Sequence, residues 1–483
     1  MPEIYDLRSA IHALALEGHS IVEDTAPLDP RCDLIEKYIH SYQSRGSFWM
    51  CAEQPLRRYT NPIRGDFPVV LGLFGSRDRV RFFLDPSGRY RSRTSNADII
   101  IAAIATPLAP VKLKSPSPRT VETKPDLTAM LPALTCTPGD PGPTITMGLV
   151  YARDEQSGRA NCSVHRITLK KSSAVIAINP KGHLQRMIDD HAARGQRLPV
   201  SVNIGLDPAV YIAAALSRPA VGYGDDELGV AGGIRGSAVQ IAPCFSHAGF
   251  FIDHAEIVLE GSLGTEKELE HETDTAPRGD EHTMPEYLGY FSRAGEVSVL
   301  QTNALTFRSN AIYQAVTGPG REQSELLGAG QETSILRVVK EWGGSALFKQ
   351  AIAAPSGGGH LLTVLQIAKR SCEDDDRARE MAQHVLRTVP TSKSIILVDE
   401  DVDPLSSDDL LWALSTRFRA EMDVAITPEL PGVPLDPTQS SLYKKGSTDG
   451  FTNKSVLDCS VPFALRARFR KAFLTTDACS TVL

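Results

Sequence analysis

Three β-suited runs, residues 145–150, 164–169 and 175–178, follow one another with only short breaks, and Ser157-Gly158-Arg159 turns the first onto the second. Side chains of this kind fit a half-buried pleated surface. The centre of the chain therefore reads as a mostly antiparallel β core. Prolines mark its near side. Pro107, Pro110, Pro116 and Pro118 break any regular element, and Pro138-Gly139-Asp140-Pro141-Gly142-Pro143 forms a second turn cluster. Ahead of that linker, residues 7–16 and 31–42 carry apolar side chains at helical spacing, and 69–74 suits a strand. Beyond the core, residues 183–194 place Leu184, Met187 and Ile188 on one helical face, and Asp207 caps a helix with Pro208 at its first position. The stretch 266–286 is acidic and broken by Pro277 and Pro285, so it reads as a long loop, a kind of segment that is often functional.

After about residue 322 the pattern changes. Helical spacing at 333–342, 377–386 and 408–417 alternates with strand runs at 361–367 and 394–398, which argues a separate α/β domain. A chain of 483 residues exceeds what one hydrophobic core usually supports. The expected architecture is α/β (α+β) in three parts: 1–118, 119–321 and 322–483.

A net charge of -7 argues against a general nucleic-acid binder, which needs a basic face. Eight cysteines without a C-x-x-C pair fit reduced thiols better than a disulfide frame or a zinc site. No apolar run approaches the roughly 20 residues that span a bilayer, and the first residues lack a signal pattern. The expectation is a cytoplasmic protein with neither nucleic acid nor membrane as partner.

Four strings carry the chemistry. Asn161-Cys162-Ser163-Val164-His165-Arg166 closes the hairpin, Gly182-His183-Leu184 opens a helix, Glu227-Leu228-Gly229-Val230-Ala231-Gly232 follows, and Pro285-Glu286-Tyr287-Leu288-Gly289-Tyr290 ends the acidic loop. In that order they resemble the UbiD family of prenylated-FMN-dependent decarboxylases, and the similarity runs from Asp6-Leu7-Arg8 to Asp458-Cys459. Gly205-Leu206-Asp207-Pro208, Ala255-Glu256-Ile257-Val258 and Ile396-Leu397-Val398-Asp399 bring the chain closest to the branch that acts on protocatechuate and other hydroxybenzoates.

The resemblance implies a central split β-barrel that binds flavin and a C-terminal domain that assembles a dimer or hexamer. It implies that Asn161, His183 and Glu227 hold Mn²⁺ or Mg²⁺ against the flavin phosphate, with K⁺ as a further ion. Oxygen and imidazole donors suit such ions. It further implies that Cys162, Ser163, Val164, His165, Arg166 and Gly182 line the flavin, that Lys454 grips its phosphate, and that a flavin prenyltransferase supplies it. Arg166 suits a substrate carboxylate through its planar fork, and Glu286 suits the proton donor. Glu281, five residues earlier, completes a Glu-Arg-Glu proton reservoir, and its bland alternative is a solvated member of the run Glu266, Glu268, Glu270, Glu272, Asp274 and Asp280.

Geometry sets a condition. Asn161 and Arg166 are an odd number of residues apart, so a regular strand sends them to opposite faces unless Asn161 lies in the turn or a bulge intervenes. Gln323-Ser324 stands where the family commonly has His-Thr, and His360 where the protocatechuate branch tends to Lys. If Gln323 and His360 line the substrate pocket, phenol recognition has changed, and a heteroaromatic or α,β-unsaturated acid becomes an alternative substrate. A catalytically silent flavin-binding subunit is the alternative from another class. The glycine-dense turn at 229–236 lacks the context of a dinucleotide fold, Asp399, Glu400, Asp401 and Asp403 read as a solvated strand end, and Ser246-His247 lacks a nucleophile elbow.

Overall fold

The computed structural model describes residues 3–43, 51–88, 95–170, 173–271, 282–286, 288–293, 295–433, 436–439, 450–469 and 471. They divide into two compact units, Met1–Ser334 with Pro355–Gly359, and Ile335–Ala354 with His360–Leu483. Among the described residues no helix is long and apolar enough to cross a membrane, and the described cysteines are all free thiols.

In the first unit six strands close on themselves: β1 (Thr144–Arg153), β2 (Ala160–Leu169), β3 (Ala174–Ile176), β4 (Leu198–Ile204), β5 (Ile257–Leu269) and β6 (Glu296–Phe307). The order is β5-β4-β1-β2-β3-β6, and β6 pairs back onto β5, every pairing antiparallel. Alternation along the strands assigns the two faces. Val200, Val202 and Ile204 of β4 join Ile167, Leu169 and Leu259 in one core cluster, while Val258 and Cys162, of opposite parity, belong to another. Strand β1 changes parity midway. Ile145 pairs with Ile167 but Gly148 with His165, so one extra residue is inserted opposite Arg166. Ile145 and then Val150 and Ala152 face the first cluster, and Met147, Leu149 and Tyr151 face the second. Gly148 makes the bulge possible, because a Cβ there would meet Val202 Cγ1 at 3.0 Å.

Helix α1 (His183–Ala192) lays Leu184, Met187 and Ile188 on the first cluster. Helix α2 (Glu227–Arg235) occupies the glycine-dense stretch read from the sequence as a turn. Asp226 caps it by accepting the Leu228 N–H, and left-handed Gly236 ends it. Its glycines serve packing: a Cβ on Gly232 would meet the Leu108 carbonyl oxygen at 2.7 Å, and one on Gly233 that of Ala103 at 2.8 Å. Helical periodicity was masked because the helix is buried nearly all round.

Two more expectations change. The acidic stretch is not a loop from residue 266, since β5 runs to Leu269 and His282–Pro285 pairs with Phe291–Arg293. Helix α3 (Arg321–Trp342) begins twelve residues before the apolar pattern that announced it. Its first half buries Glu322, Glu325, Gln331 and Glu332, whose partners are supplied by tertiary structure: Glu322 accepts the Gly72 and Phe74 N–H groups at 2.9 Å, and Glu332 pairs with Arg77 at 2.8 Å.

The second unit carries a five-stranded sheet of β7 (Phe348–Ala353), β8 (Leu362–Ile367), β9 (Ser394–Asp399), β10 (Val424–Pro431) and β11 (Phe451–Asp458), in the order β7-β8-β9-β11-β10. Helices Glu373–Thr388 and Ser407–Arg417 accompany it. Asp399, read as solvated, is buried at the end of β9, where it accepts the Val461 N–H at 2.7 Å and meets Arg417 at 3.3 Å.

Candidate active site

Strand β2 organises the site by its two faces and its edge. Asn161, Ser163 and His165 share one face and form a relay: Asn161 Nδ2 donates to Ser163 Oγ at 2.9 Å, Ser163 Oγ meets His165 Nε2 at 2.8 Å, and His165 Nδ1 meets the Ala177 carbonyl at 2.9 Å. Burial lowers the His165 pKa, which keeps the imidazole neutral. Arg166 and Thr168 share the other face, where both reach Glu270. The strand is unbroken from Ala160 to Leu169, so neither a turn at Asn161 nor a bulge in β2 brings Asn161 and Arg166 to one face. The inserted residue lies in β1 instead.

What joins the two groups is the edge. Strand β3 pairs only with Ile167, Thr168 and Leu169, so among the described residues the first half of β2 carries no strand on that side. The Cys162 N–H points out across this gap to Glu227 Oε2 at 3.2 Å, and Val164 is exposed. A ligand laid along the edge can touch both faces of the strand and its backbone groups.

Three residues are metal-ligand candidates, and one of them, Glu227, meets the start of this edge at the Cys162 N–H. Asn161 is buried, with its amide oxygen left over by the relay. His183 is the first residue of α1 and makes an edge-on contact with Tyr223, 5.2 Å between ring centroids. Burial, then Arg218 and Arg186, lower its pKa, so the imidazole is neutral and able to ligate. Glu227 opens α2, is 4 % exposed, and has its pKa raised to about 8, first by burial and further by Asp226 and Asp225. A buried carboxylate flanked by two others lacks countercharge. A divalent cation supplies it, so this donor set fits a hard or borderline metal ion.

At the other end Arg166 sits between two carboxylates. Its Nε and Nη2 donate to Glu270 at 2.9 Å each, and its Nη1 donates to Glu286 and, at 3.1 Å, to Ser292 Oγ. Thr168 Oγ1 adds a bond to Glu270 at 3.3 Å. Burial opposes the Arg166 charge, and the two carboxylates outweigh it, so its pKa is raised. Burial also raises the Glu286 pKa. Arg166 opposes that shift and the Glu270 charge adds to it. One cation facing two carboxylates, with burial, shifts the Glu286 carboxyl towards holding its proton to higher pH than usual.

Glu270 is the residue that sequence reasoning missed, having been assigned to a solvated acidic run. It is 2 % exposed. The run alternates acids at 266, 268 and 270, and which of them meets Arg166 is decided by where β5 ends and by its shifted register on β6, neither of which the composition reveals. Glu281 lies outside the described residues. Gln323 belongs to the first unit, in the first turn of α3. His360 and Lys454 belong to the second. Burial pushes the His360 pKa down to about 4, and Lys454 is buried, with Nζ donating to the Pro390 carbonyl at 2.7 Å and its pKa lowered to about 8 by burial. Ser246 and His247 have a structural task. Ser246 and the Phe245 N–H bond Glu260, and His247 is spent on the Val200 carbonyl and the Gly249 N–H, which also removes it as a ligand beside Cys244.

Comparison with known proteins identifies the family. Residues 110–322 match the 3-octaprenyl-4-hydroxybenzoate carboxy-lyase Rift-related domain, and 325–459 the C-terminal domain of the same family. A gallate decarboxylase of Lactiplantibacillus plantarum is 30% identical over 97% of this chain and 96% of its own. The apo structure of 3,4-dihydroxybenzoic acid decarboxylase from Enterobacter cloacae superposes with a TM-score of 0.87 at 32% identity, covering 100% of both chains. The fold is shared at 24% identity, with a TM-score of 0.83 over 99% and 100% of the two chains, by the UbiD-class enzyme HmfF from Pelotomaculum thermopropionicum in complex with FMN. With both domains matched in order and relatives aligned end to end, the chain belongs to the UbiD family and is a carboxy-lyase.

Proposed function

We propose that this enzyme removes carbon dioxide, without net oxidation, from a hydroxybenzoate-type acid such as protocatechuate, giving the corresponding phenol, with prenylated FMN and Mn²⁺ or Mg²⁺ bound. The observation that carries this reading is the Glu270–Arg166–Glu286 group, with Glu270 buried, at one end of an open strand edge at whose other end Glu227 meets the Cys162 N–H, next to Asn161. Asn161, His183 and Glu227 would hold the metal ion, with K⁺ as a further ion, while Cys162 to Arg166 and Gly182 line the flavin. Prenylated FMN, when bound, supplies the electron sink that no side chain offers.

The chain's own residues do the rest. Arg166 is committed to Glu270 through two of its nitrogens, so an incoming carboxylate competes with Glu286 for Nη1. That competition frees Glu286 to turn towards the substrate. Glu286, whose pKa burial raises, delivers a proton to the carbon that has lost carbon dioxide, and Glu270 keeps Arg166 in place while the charge moves. The proposal extends to a cytoplasmic homo-oligomer, dimer or hexamer, loaded by a flavin prenyltransferase.

A Glu286→Gln protein co-produced with the prenyltransferase tests the reading. Gln keeps the shape but carries no transferable proton, so kcat for carbon dioxide release from protocatechuate falls on the order of 10²- to 10⁴-fold with the bound cofactor's spectrum unchanged. Undiminished turnover by that variant removes Glu286 from the role.

A further inference from the structure

Hydrophobicity does not explain where Ser292 sits. Strands His282–Pro285 and Phe291–Arg293 form a short hairpin, closed by the Glu286 N–H on the Tyr290 carbonyl at 2.9 Å. Alternation along the second strand leaves Phe291 half-exposed and buries Ser292 to 5 % exposure, the reverse of the usual preference of the two side chains. A serine buried where an apolar side chain would fit needs partners for its hydroxyl. Ser292 finds them in the acid group. Its Oγ accepts from Arg166 Nη1 at 3.1 Å, and its own proton has two acceptors, the Glu286 carboxyl and the Met284 carbonyl at 3.4 Å. Glu270 holds Nε and Nη2 of Arg166 at 2.9 Å each, and the two hydrogens of Nη1 are divided between Glu286 and Ser292.

We propose that Ser292 is a positioning residue of the decarboxylation site: its hydroxyl keeps Arg166 Nη1 aimed while Glu286 turns to the substrate, and donates to the Glu286 carboxylate once that acid has given up its proton. The inference rests on the decarboxylase reading above and deepens it. Ser292 stands on a paired strand, so it stays when Glu286 leaves Nη1. While Glu286 is protonated or turned away, the hydroxyl proton goes to the Met284 carbonyl. An ionised Glu286 is the stronger acceptor and takes it back. A bond made to the ionised form lowers the Glu286 pKa, against burial and the Glu270 charge that raise it. The charges that bear on Glu286 are those of Arg166 on β2, which also lowers its pKa, and of Glu270 just past the end of β5.

Removing the hydroxyl acts in one direction. In Ser292→Ala the ionised form of Glu286 loses a hydrogen bond, so the carboxyl keeps its proton to higher pH by about half to one pH unit. On the loaded enzyme the alkaline limb of the kcat profile for protocatechuate moves up by that amount, and kcat below the limb falls about 2- to 10-fold as Nη1 loses its fixed partner. With no substrate present, the infrared band of a protonated carboxyl that is missing from Glu286→Gln titrates with the same upward shift. Ser292→Thr keeps a hydroxyl and restores both midpoints. A hydroxyl that only packs would lower kcat equally at every pH and leave both midpoints where they are. If Ser292→Ala does not accumulate as folded protein, Ser292→Cys serves, since its thiol is a weaker donor and moves both midpoints the same way by less. Either midpoint unmoved or moved down, or not restored by Ser292→Thr, overturns the role of Ser292 and leaves decarboxylation standing. Wild-type enzyme that releases carbon dioxide from no hydroxybenzoate, with the infrared midpoint still shifted in the variant, overturns the decarboxylase reading and the positioning role with it.

Discussion

Glu270 decides how the proton donor behaves. Its negative charge adds to burial in raising the Glu286 pKa, while Arg166 pulls the other way. An acid whose pKa is raised is protonated, and able to donate, below that value and loses activity as pH climbs through it. Replacing Glu270 by Gln removes one cause of the rise, so Glu286 gives up its proton at lower pH. The alkaline limb of the kcat profile for protocatechuate therefore moves to lower pH in Glu270→Gln, and an unmoved limb shows that Glu270 acts on Arg166 alone. At this scale the sequence was a partial guide. Arg166, Glu286, Asn161 and Glu227 stand in strings that can be read directly, and the structure buries all but a fraction of each. Glu270 was illegible because an acidic run looks the same whether one member faces solvent or an arginine.

Among the elements, β2 and α2 show what local pattern conveys and what it hides. The strand is announced by its apolar residues, yet its two faces do different work, and the bulge that re-aims β1 opposite Arg166 leaves no more trace than a single glycine. In α2 three glycines obscure the helix, and they are not equivalent. At Gly232 and Gly233 a methyl group would meet backbone carbonyl oxygens at 2.7 and 2.8 Å, whereas at Gly229 its nearest neighbour would be Pro107 Cβ at 3.5 Å. Gly233→Ala is expected to lose about 1–3 kcal/mol in urea unfolding from overpacking. Gly229→Ala, made in the same helix, is expected to gain up to about 1 kcal/mol because alanine is the better helix former. Equal effects at the two positions contradict the close approach of α2 to residues 103–108. Helix α3 hides for a different reason: its polar first half is buried, and its partners, such as Gly72, Phe74 and Arg77, lie some 250 residues away in sequence. Residues that far apart carry no periodic signal.

For the whole molecule, the overall plan was legible: a mostly antiparallel centre, then alternation of strand and helix. Closure of the centre into a six-stranded ring was implied by resemblance alone, because a run of strands reads the same whether or not the last pairs with the first. A metal ion bound at the proposed site would add to the ring's stability. Glu227 is buried among like charges, so filling the site stabilises the folded state by linkage, about 2.7 kcal/mol at a hundredfold excess over Kd. Adding Mn²⁺ to metal-stripped enzyme raises Tm, and in Glu227→Gln most of that rise disappears. An equal rise in the variant moves the metal elsewhere.

Because β3 is only three residues long, the ring has one short stave, and the gap beside it exists before any ligand arrives. A bulky cofactor can thus dock on the finished barrel, with no need to be threaded in during synthesis. The same opening makes the empty enzyme vulnerable, since bare strand backbone recruits strands from other chains. On the proposed function, loading would double as protection: a cofactor laid along this edge would also seal the seam through which unloaded copies would stick together.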